Sequence, residues 1–501
     1  MRTRRLAMFA LLTLAVMLLA SPVFGASKAP DKVVVAWISF NKIPDDTSAV
    51  NDAINKYIQK TYPDLNVAIE IQLYGPADYA QKINLALASG TQMDIFDPFP
   101  LGAFVAKNQL LPLEGLIEKH GQGIKKMIEK DFGPGMLKTT TFNGHMYSIP
   151  VNKGVALNMT LVYDKELLAL SGYAEKDIKT MEDLPKIFDA IKKKRPDVVP
   201  FAPLNTGDTV LLRYLSNKHE VDTLSDAQTM AGVVFGGKGK VVNFYESKEF
   251  ADGVKLMRGW YNKGYLPKDS ATAIADTPAQ FRAGKLFCTM GGYGGNQIGV
   301  TISGQAGREI GAKHLVPFYF DSQAVNLVTT GIGSTCKVPE AAMKVLNLIY
   351  TDEFVINTML YGIEGRDYVK VDAHHWKYPD GKDANTVPYT ASLCTGVFGS
   401  ESLQYQPVGM SWDDILYKLD DNKKTKRSPY FGFNFDTTDM KNEISAITNV
   451  YNQYMPGLIC GALDPDATIP KLNKALKDAG IDRIIAEKQK QLDAWIKANK
   501  K

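Results

Sequence analysis

Apolar residues along this chain recur in two rhythms that take turns. Lys32 to Ser39 is a compact β-branched run, and Val67 to Tyr74 alternates apolar with polar residues, so both read as strands. Between them Val50, Ile54, Tyr57 and Ile58 recur at helical spacing over Asp45 to Tyr62, and Pro63-Asp64 stops the run. A second helix is predicted over Tyr79 to Ser89, with Ala80, Ile83 and Leu87 on one face and Ser89-Gly90-Thr91 as its end. Met93 to Asp97 then reads as a third, short strand. The βαβαβ order predicts a mostly parallel sheet covered by helices on both faces. Ligands of such sheets sit beyond the carboxyl ends of the strands. That rule puts Trp37 to Asn41, Tyr74 and Asp94 to Phe99 on one rim.

The pattern changes at Asn143 to Leu168. Met146 to Pro150 is apolar, Val151-Asn-Lys-Gly154 interrupts it, and a second apolar run from Val155 to Tyr163 leads to a helix start at Asp164. Two strand-like runs joined by a short polar break predict a passage from one lobe to another. Beyond it, helices are expected over Asp183 to Lys194, around Phe250 to Tyr261, and over Gln280 to Lys285. Leu286 to Gly291 reads as a strand feeding a glycine-rich loop, Gly291-Gly-Tyr-Gly-Gly295. Lys313 to Phe320 and Ala324 to Gly331 read as strands, the second being the expected return crossing. Ala342, Val345, Leu346 and Ile349 mark another helix, and Tyr361 to Ser428 reads as irregular. In the tail, Met440, Ile444, Ile447, Tyr451 and Tyr454 form a helical stripe with Asp436 as its expected cap, and Ile485, Leu492, Trp495 and Ile496 form another.

Composition narrows the picture. A chain of 501 residues, 45% hydrophobic and 22% charged, is globular and long enough for two or three domains. Its formal charge of +4 includes Arg2, Arg4 and Arg5 of an N-terminal segment, and subtracting them leaves about +1. No electrostatic case for nucleic acid remains. That segment, Met1 to Gly25, has the basic start, apolar core and small-residue end of a secretory signal, with cleavage expected before Ala26. The alternative is an uncleaved anchor. Lipid-anchored exported proteins carry a Cys just after the cut, whereas the first Cys here is Cys288. A freely diffusing periplasmic protein is therefore expected. Cys288, Cys336, Cys394 and Cys460 are scattered, so disulfides and buried thiols both remain open.

Catalytic and cofactor patterns are scarce. From Gly292 the sixth position is Gln297, where the dinucleotide fingerprint requires glycine. His374-His375 are adjacent and diverge on either a strand or a helix, which argues against a shared metal. Spacing alone does not make Asp94/Asp97 or Glu364/Asp367 an acid–base couple. What stands out is aromatic and polar residues at strand ends. Trp37, Phe40, Tyr74, Phe96, Phe99 and Tyr293 offer flat faces, and Asn41, Asp97, Asn152, Lys153, Asn296 and Glu364 offer hydrogen bonds. That mixture suits a sugar, which has an apolar face and a rim of hydroxyls. The competing reading puts several of the aromatics in the core.

Five stretches resemble the extracellular solute-binding proteins of family 1, the substrate-capturing components of bacterial ABC importers. They are Leu87-Ala-Ser-Gly-Thr-Gln-Met-Asp-Ile95, Asn143-Gly-His-Met-Tyr-Ser-Ile-Pro150, Leu161-Val-Tyr-Asp-Lys-Glu-Leu-Leu168, Trp260-Tyr-Asn-Lys-Gly-Tyr-Leu-Pro267 and Phe281-Arg-Ala-Gly-Lys285. The tail, with Phe433-Asn-Phe-Asp436 and Gln491-Leu-Asp-Ala-Trp495, is similar to a C-terminal domain of unknown function found in one branch of these proteins. The resemblance implies an α/β fold, a two-lobed periplasmic-binding-protein-like (type II) clamp with a C-terminal α-helical extension. The expected division is 26–150 for the first lobe, 151–323 for the second, 324–428 for the return and lobe-spanning segments, and 429–501 for the helical unit. It further implies a carbohydrate ligand, ABC permease subunits as partners, a monomer, no cofactor and no catalysis. Expected ligand contacts are Trp37, Asn41 and Asp97 on the first lobe, Asn152 and Lys153 on the crossing, Tyr293 and Asn296 on the second lobe, and Glu364 on the returning segment. A peptide or other polar solute in the same fold, and a secreted glycan-processing enzyme, are the alternatives.

Overall fold

The computed structural model describes residues 29–202, 210–272, 276–322 and 328–499. The expected leader and positions 324–327 of the expected return run lie outside the described residues. The chain opens with β1 (Asp31–Ile38), α1 (Thr47–Thr61), β2 (Val67–Tyr74), α2 (Pro76–Ser89) and β3 (Ile95–Phe96), and the three strands pair in parallel. Helices on both faces bury both sides of β1. Val33, Val35 and Trp37 point into one core, and Val34 and Ala36 point into another, as a two-residue period requires. β2 is the sheet's edge, and α1 shields it. Asn55 exchanges two hydrogen bonds with the backbone of Ile69 (2.7 and 2.9 Å), and Asn51 accepts from the Ile71 amide (3.0 Å). Edge groups that would otherwise recruit another strand are thereby satisfied.

Two details depart from expectation. The buried face of α2 is Tyr79, Ile83 and Leu87, with Ala80 exposed, because the Tyr79 hydroxyl accepts from the Asp97 amide at 2.8 Å. β3 is only two residues long, because the Asp94 carboxylate takes the Val34 amide proton (2.8 Å) where a strand carbonyl would otherwise serve. Further on, α3 (Gln122–Phe132) packs on this lobe. Asn143 and Gly144 then make a tight turn with φ of 49° and 86° between two short strands, and β4 (Ser148–Pro150) joins the first sheet.

The chain leaves that sheet at Pro150 and enters a second one at β5 (Asn158–Asp164), every residue of which is buried. Asp164 caps the next helix by accepting from the Leu167 amide at 2.9 Å, as the sequence suggested. Then follow α4 (Leu184–Lys194), β6 (Val199–Phe201), α5 (Val210–Lys218), α6 (Lys248–Asn262), β7 (Leu286–Tyr293) and β8 (Ile310–Val316). The second sheet has the order β8-β5-β7-β6. A return strand, β9 (Thr329–Ile332), closes the first sheet as β2-β1-β3-β9-β4. α7 (Pro339–Thr351) and α8 (Glu353–Tyr361) complete that lobe's core.

Within the region expected to be irregular lies a regular helix, α9 (Trp412–Lys424). It caps the first crossing. The Asn422 side chain accepts from the Val155 and Ala156 amides (2.9 and 3.2 Å) and donates to the Lys153 carbonyl (2.8 Å). A third passage follows, over residues 425–436. Asn434 donates to the Thr139 and Thr141 carbonyls of the first lobe, and Ser225 of the second lobe donates to the Phe433 carbonyl (2.9 Å). The tail consists of α10 (Lys441–Ile459), α11 (Pro465–Asp478) and α12 (Ile481–Asn499). Asp436 bonds the Thr438 amide instead of capping α10, which starts at Lys441 without a side-chain cap. Leu458, Leu472, Leu476, Ile484 and Leu492 share one apolar core with Val254 and Met257 of α6, so the tail is built into the second lobe. All four cysteines are free thiols.

Candidate functional site

Strand ends converge on the crossings. In the first sheet the carboxyl ends of β1, β2, β3 and β4 meet the start of β9, with Thr329 opposite Pro150 and Gly331 opposite Phe96. In the second sheet the ends of β7 and β8 meet the start of β5, with Tyr293 opposite Asn158 and Val316 opposite Met159. Between the crossings and α5 lies a cavity of about 400 Å³. Val151 and Lys153 to Val155 of the first crossing, Phe318, Tyr319, Asp321 and Val328 of the second, Leu212, Arg213, Ser216 and Asn217 of α5, and Val221, Thr223, Ala227 and Met230 form its walls. Apolar side chains dominate, and Lys153, Arg213, Asn217, Thr223 and Asp321 supply polar groups.

Two of the expected contacts form an electrostatic pair. Burial pushes the Asp97 carboxyl up to about 7, against the Thr329 backbone and the Lys153 charge. Burial likewise lowers the Lys153 ammonium, against Glu401 first and Asp97 second. Glu401 also accepts from the Gly154 amide at 2.9 Å, so the crossing carries a cation between two carboxylates. A carboxyl whose proton is held up to about 7 is able to donate to a hydroxyl when protonated and to accept from one when ionised.

The remaining expected contacts are placed differently. Trp37 is only 2% exposed and stacks on Phe398 at 4.3 Å, because its position in β1 shares the parity of Val33 and Val35. Asn152 is fully buried, and its amide donates to Asp131 (2.6 Å) and Ser400 (2.8 Å), which ties the crossing to α3 and the 399–401 turn. Asn41 accepts from the Leu393 amide at 3.1 Å on the rim. Tyr293 is half-buried against the Val162, Ala202 and Ile310 cluster at the end of β7. Asn296 is exposed, and its backbone N–H donates to the Asp414 carboxylate of α9 at 2.9 Å. Glu364 is exposed on the turn that pairs with Tyr368, outside the cavity. The rim's open aromatic faces belong to Phe40 (47% exposed) and Phe99 (56%).

Sequence reasoning missed Glu401, Arg213 and Asp321. Asp321 comes from a loop and Glu401 opens a single 3-10 turn (Glu401–Leu403), and neither shows periodicity. Arg213 interrupts the apolar face of a helix, which ordinarily signals only a solvated position.

Two lobes with strand ends facing a shared crossing define a clamp for a solute, and the chain belongs to the family described as bacterial extracellular solute-binding protein, which matches residues 52–366. Residues 429–497 match a domain of unknown function (DUF3502). The fold is the type II clamp of that family. Among individual relatives, the chain is 29% identical over 492 residues to a carbohydrate ABC transporter substrate-binding protein of Streptococcus pneumoniae serotype 4 (strain ATCC BAA-334 / TIGR4), covering 95% of this chain and 93% of the relative. Its structure is similar to that of the N-glycan transport solute binding protein (NgtS) from Streptococcus pneumoniae, with a TM-score of 0.75 and 26% identity over 94% of this chain and 100% of that one. The complex of NgtS with Man1GlcNAc is also similar, with a TM-score of 0.65 and 27% identity over 93% and 99%.

Proposed function

We propose that this protein captures an oligosaccharide between its lobes and delivers it to the transmembrane subunits of an ABC importer. The observation that carries this reading is the first-lobe rim. Phe40 and Phe99 stand open beside Asn41 and Asp97, which is the flat-face-plus-hydroxyl-partner chemistry that sugars require. The near-full-length likeness to a carbohydrate transport protein and to an N-glycan transport protein supports the same class. Stacking falls to Phe40 and Phe99 in place of Trp37. Lys153, Asp97 and Glu401 bind hydroxyls at the crossing.

In this reading residues 1–25 direct export, and the mature protein works in the periplasm as a monomeric binder without catalysis. The first lobe comprises 26–150 and parts of 324–428, the second lobe 151–323, and the tail 429–501. Ligand entry shifts the lobes to a closed form, which the permease recognises. The test is calorimetric titration of the mature protein with neutral oligosaccharides, followed by chromatography of the recovered sugar. Binding without cleavage is expected. Released shorter products would make it an enzyme, and binding of peptides alone would change the cargo.

A further inference from the structure

Lys488 has no exposed surface. It lies on the buried face of α12 with Ile481, Ile484 and Leu492, a position that an apolar residue ordinarily fills. A buried ammonium is strongly unfavourable unless its protons are satisfied. Here its partners are the Gly232 carbonyl (3.0 Å), the Thr223 carbonyl (3.2 Å) and the Asp226 carboxylate (3.5 Å), with the Phe435 ring 5.4 Å away. All three oxygens belong to one loop, residues 222–232.

That loop resists its own shape. Leu224, Ser225 and Met230 hold φ of 52°, 66° and 50°, a region that side chains other than Gly, Asn and Asp disfavour. Its opposite side is the cavity wall, where Thr223, Ala227 and Met230 stand. Thr223 also donates to Asp321 at 2.5 Å, and Ser322 donates to Asp222 at 2.8 Å, so the same loop grips the second crossing.

We propose that the C-terminal unit belongs to the binding apparatus, with Lys488 as the positioning residue that holds the 222–232 loop in the shape of the cavity wall. The tail sets affinity without touching the ligand. This rests on the cavity being part of the ligand site, so the test has one arm without ligand and one with it. Lys488→Met keeps the stem and removes the charge.

In ligand-free hydrogen exchange, amides of 222–232 should exchange at least tenfold faster in K488M, while 95–105 of the first lobe keep wild-type rates. In calorimetry with a mannosyl-N-acetylglucosamine disaccharide, K488M should bind at least tenfold more weakly. Gln489→Ala is the control. Its side chain holds the Val241 amide (2.7 Å) and the Gly239 carbonyl (2.9 Å), away from the wall, so it should lower the melting temperature and leave affinity unchanged. Unchanged exchange in 222–232, or wild-type affinity despite faster exchange, overturns the proposal. Should K488M not fold, Phe435→Leu removes only the neighbouring ring, and the same pattern is expected at about threefold. If the wild type binds no sugar, the carbohydrate reading falls, and unchanged exchange in 222–232 still overturns the role of Lys488.

Discussion

Trp37 and Phe40 stand three residues apart and do opposite things. Trp37 lies within β1, where both faces are covered, so its parity sends it into the core. Phe40 lies past the strand's end, where no layer covers it. Trp37→Ala should cost about 3–5 kcal/mol of unfolding free energy in urea, the usual range for emptying a large aromatic site. Phe40→Ala should leave stability within about 0.5 kcal/mol and weaken sugar binding about tenfold, or ~1.4 kcal/mol. Asp97 gives a second test at this scale. The folded state holds its proton up to about 7, against 3.8 for an ordinary aspartate. Its contribution is therefore complete below about pH 4 and is lost as pH rises through about 7. Unfolding free energies of the wild type should fall relative to Asp97→Asn over that window, and parallel curves would remove the proton from Asp97. The sequence made Asp97 and Lys153 visible as polar residues at a strand end and on a crossing. It did not separate Lys153 from Asn152, because which neighbour faces the cavity depends on Asp131 and Ser400, which are distant in the chain.

At the level of elements, periodicity found α1 and β2 almost to the residue, because their buried faces are apolar. α9 escaped because half of its buried face is polar: Asp414 and Asn422 alternate there with Ile415 and Leu419. A hydrophobic pattern is silent where a helix is held by hydrogen bonds to another segment's backbone. Asn422→Ala removes partners from two amides and a carbonyl on the crossing at once. A loss of about 2–4 kcal/mol is expected in urea unfolding, since buried groups left unpaired each cost about 1–3 kcal/mol. A change below about 0.5 kcal/mol would mean that α9 does not brace the crossing. The Asn143-Gly144 turn went unread, although asparagine and glycine are the pair that tolerates positive φ.

At the scale of the whole molecule, the chain passes between lobes at 151–157, again between β8 and β9, and again at 425–436. Two crossings could be foreseen from apolar runs. The third could not, because apart from the two-residue strand Lys426–Arg427 it has no regular element, and its partners, Thr139, Thr141, Ser225 and the Tyr319–Phe320 strand, lie far away in sequence. The same holds for the tail, whose stripes announced helices but not that their core is the second lobe's core. Closing such a clamp on a ligand adds binding free energy to folding. At a free ligand concentration 100 times the dissociation constant, the bound form gains about 2.7 kcal/mol.

Sugar binding at the first-lobe rim is the property on which the proposed function stands. Thermal unfolding of the mature protein against neutral oligosaccharides, charged oligosaccharides and short peptides, repeated with Phe40→Ala and Phe99→Ala, tests it most directly. Neutral oligosaccharides should raise the midpoint of the wild type by several degrees and leave both variants nearly unmoved. Stabilisation by peptides alone, or an equal response from the wild type and both variants, would contradict it.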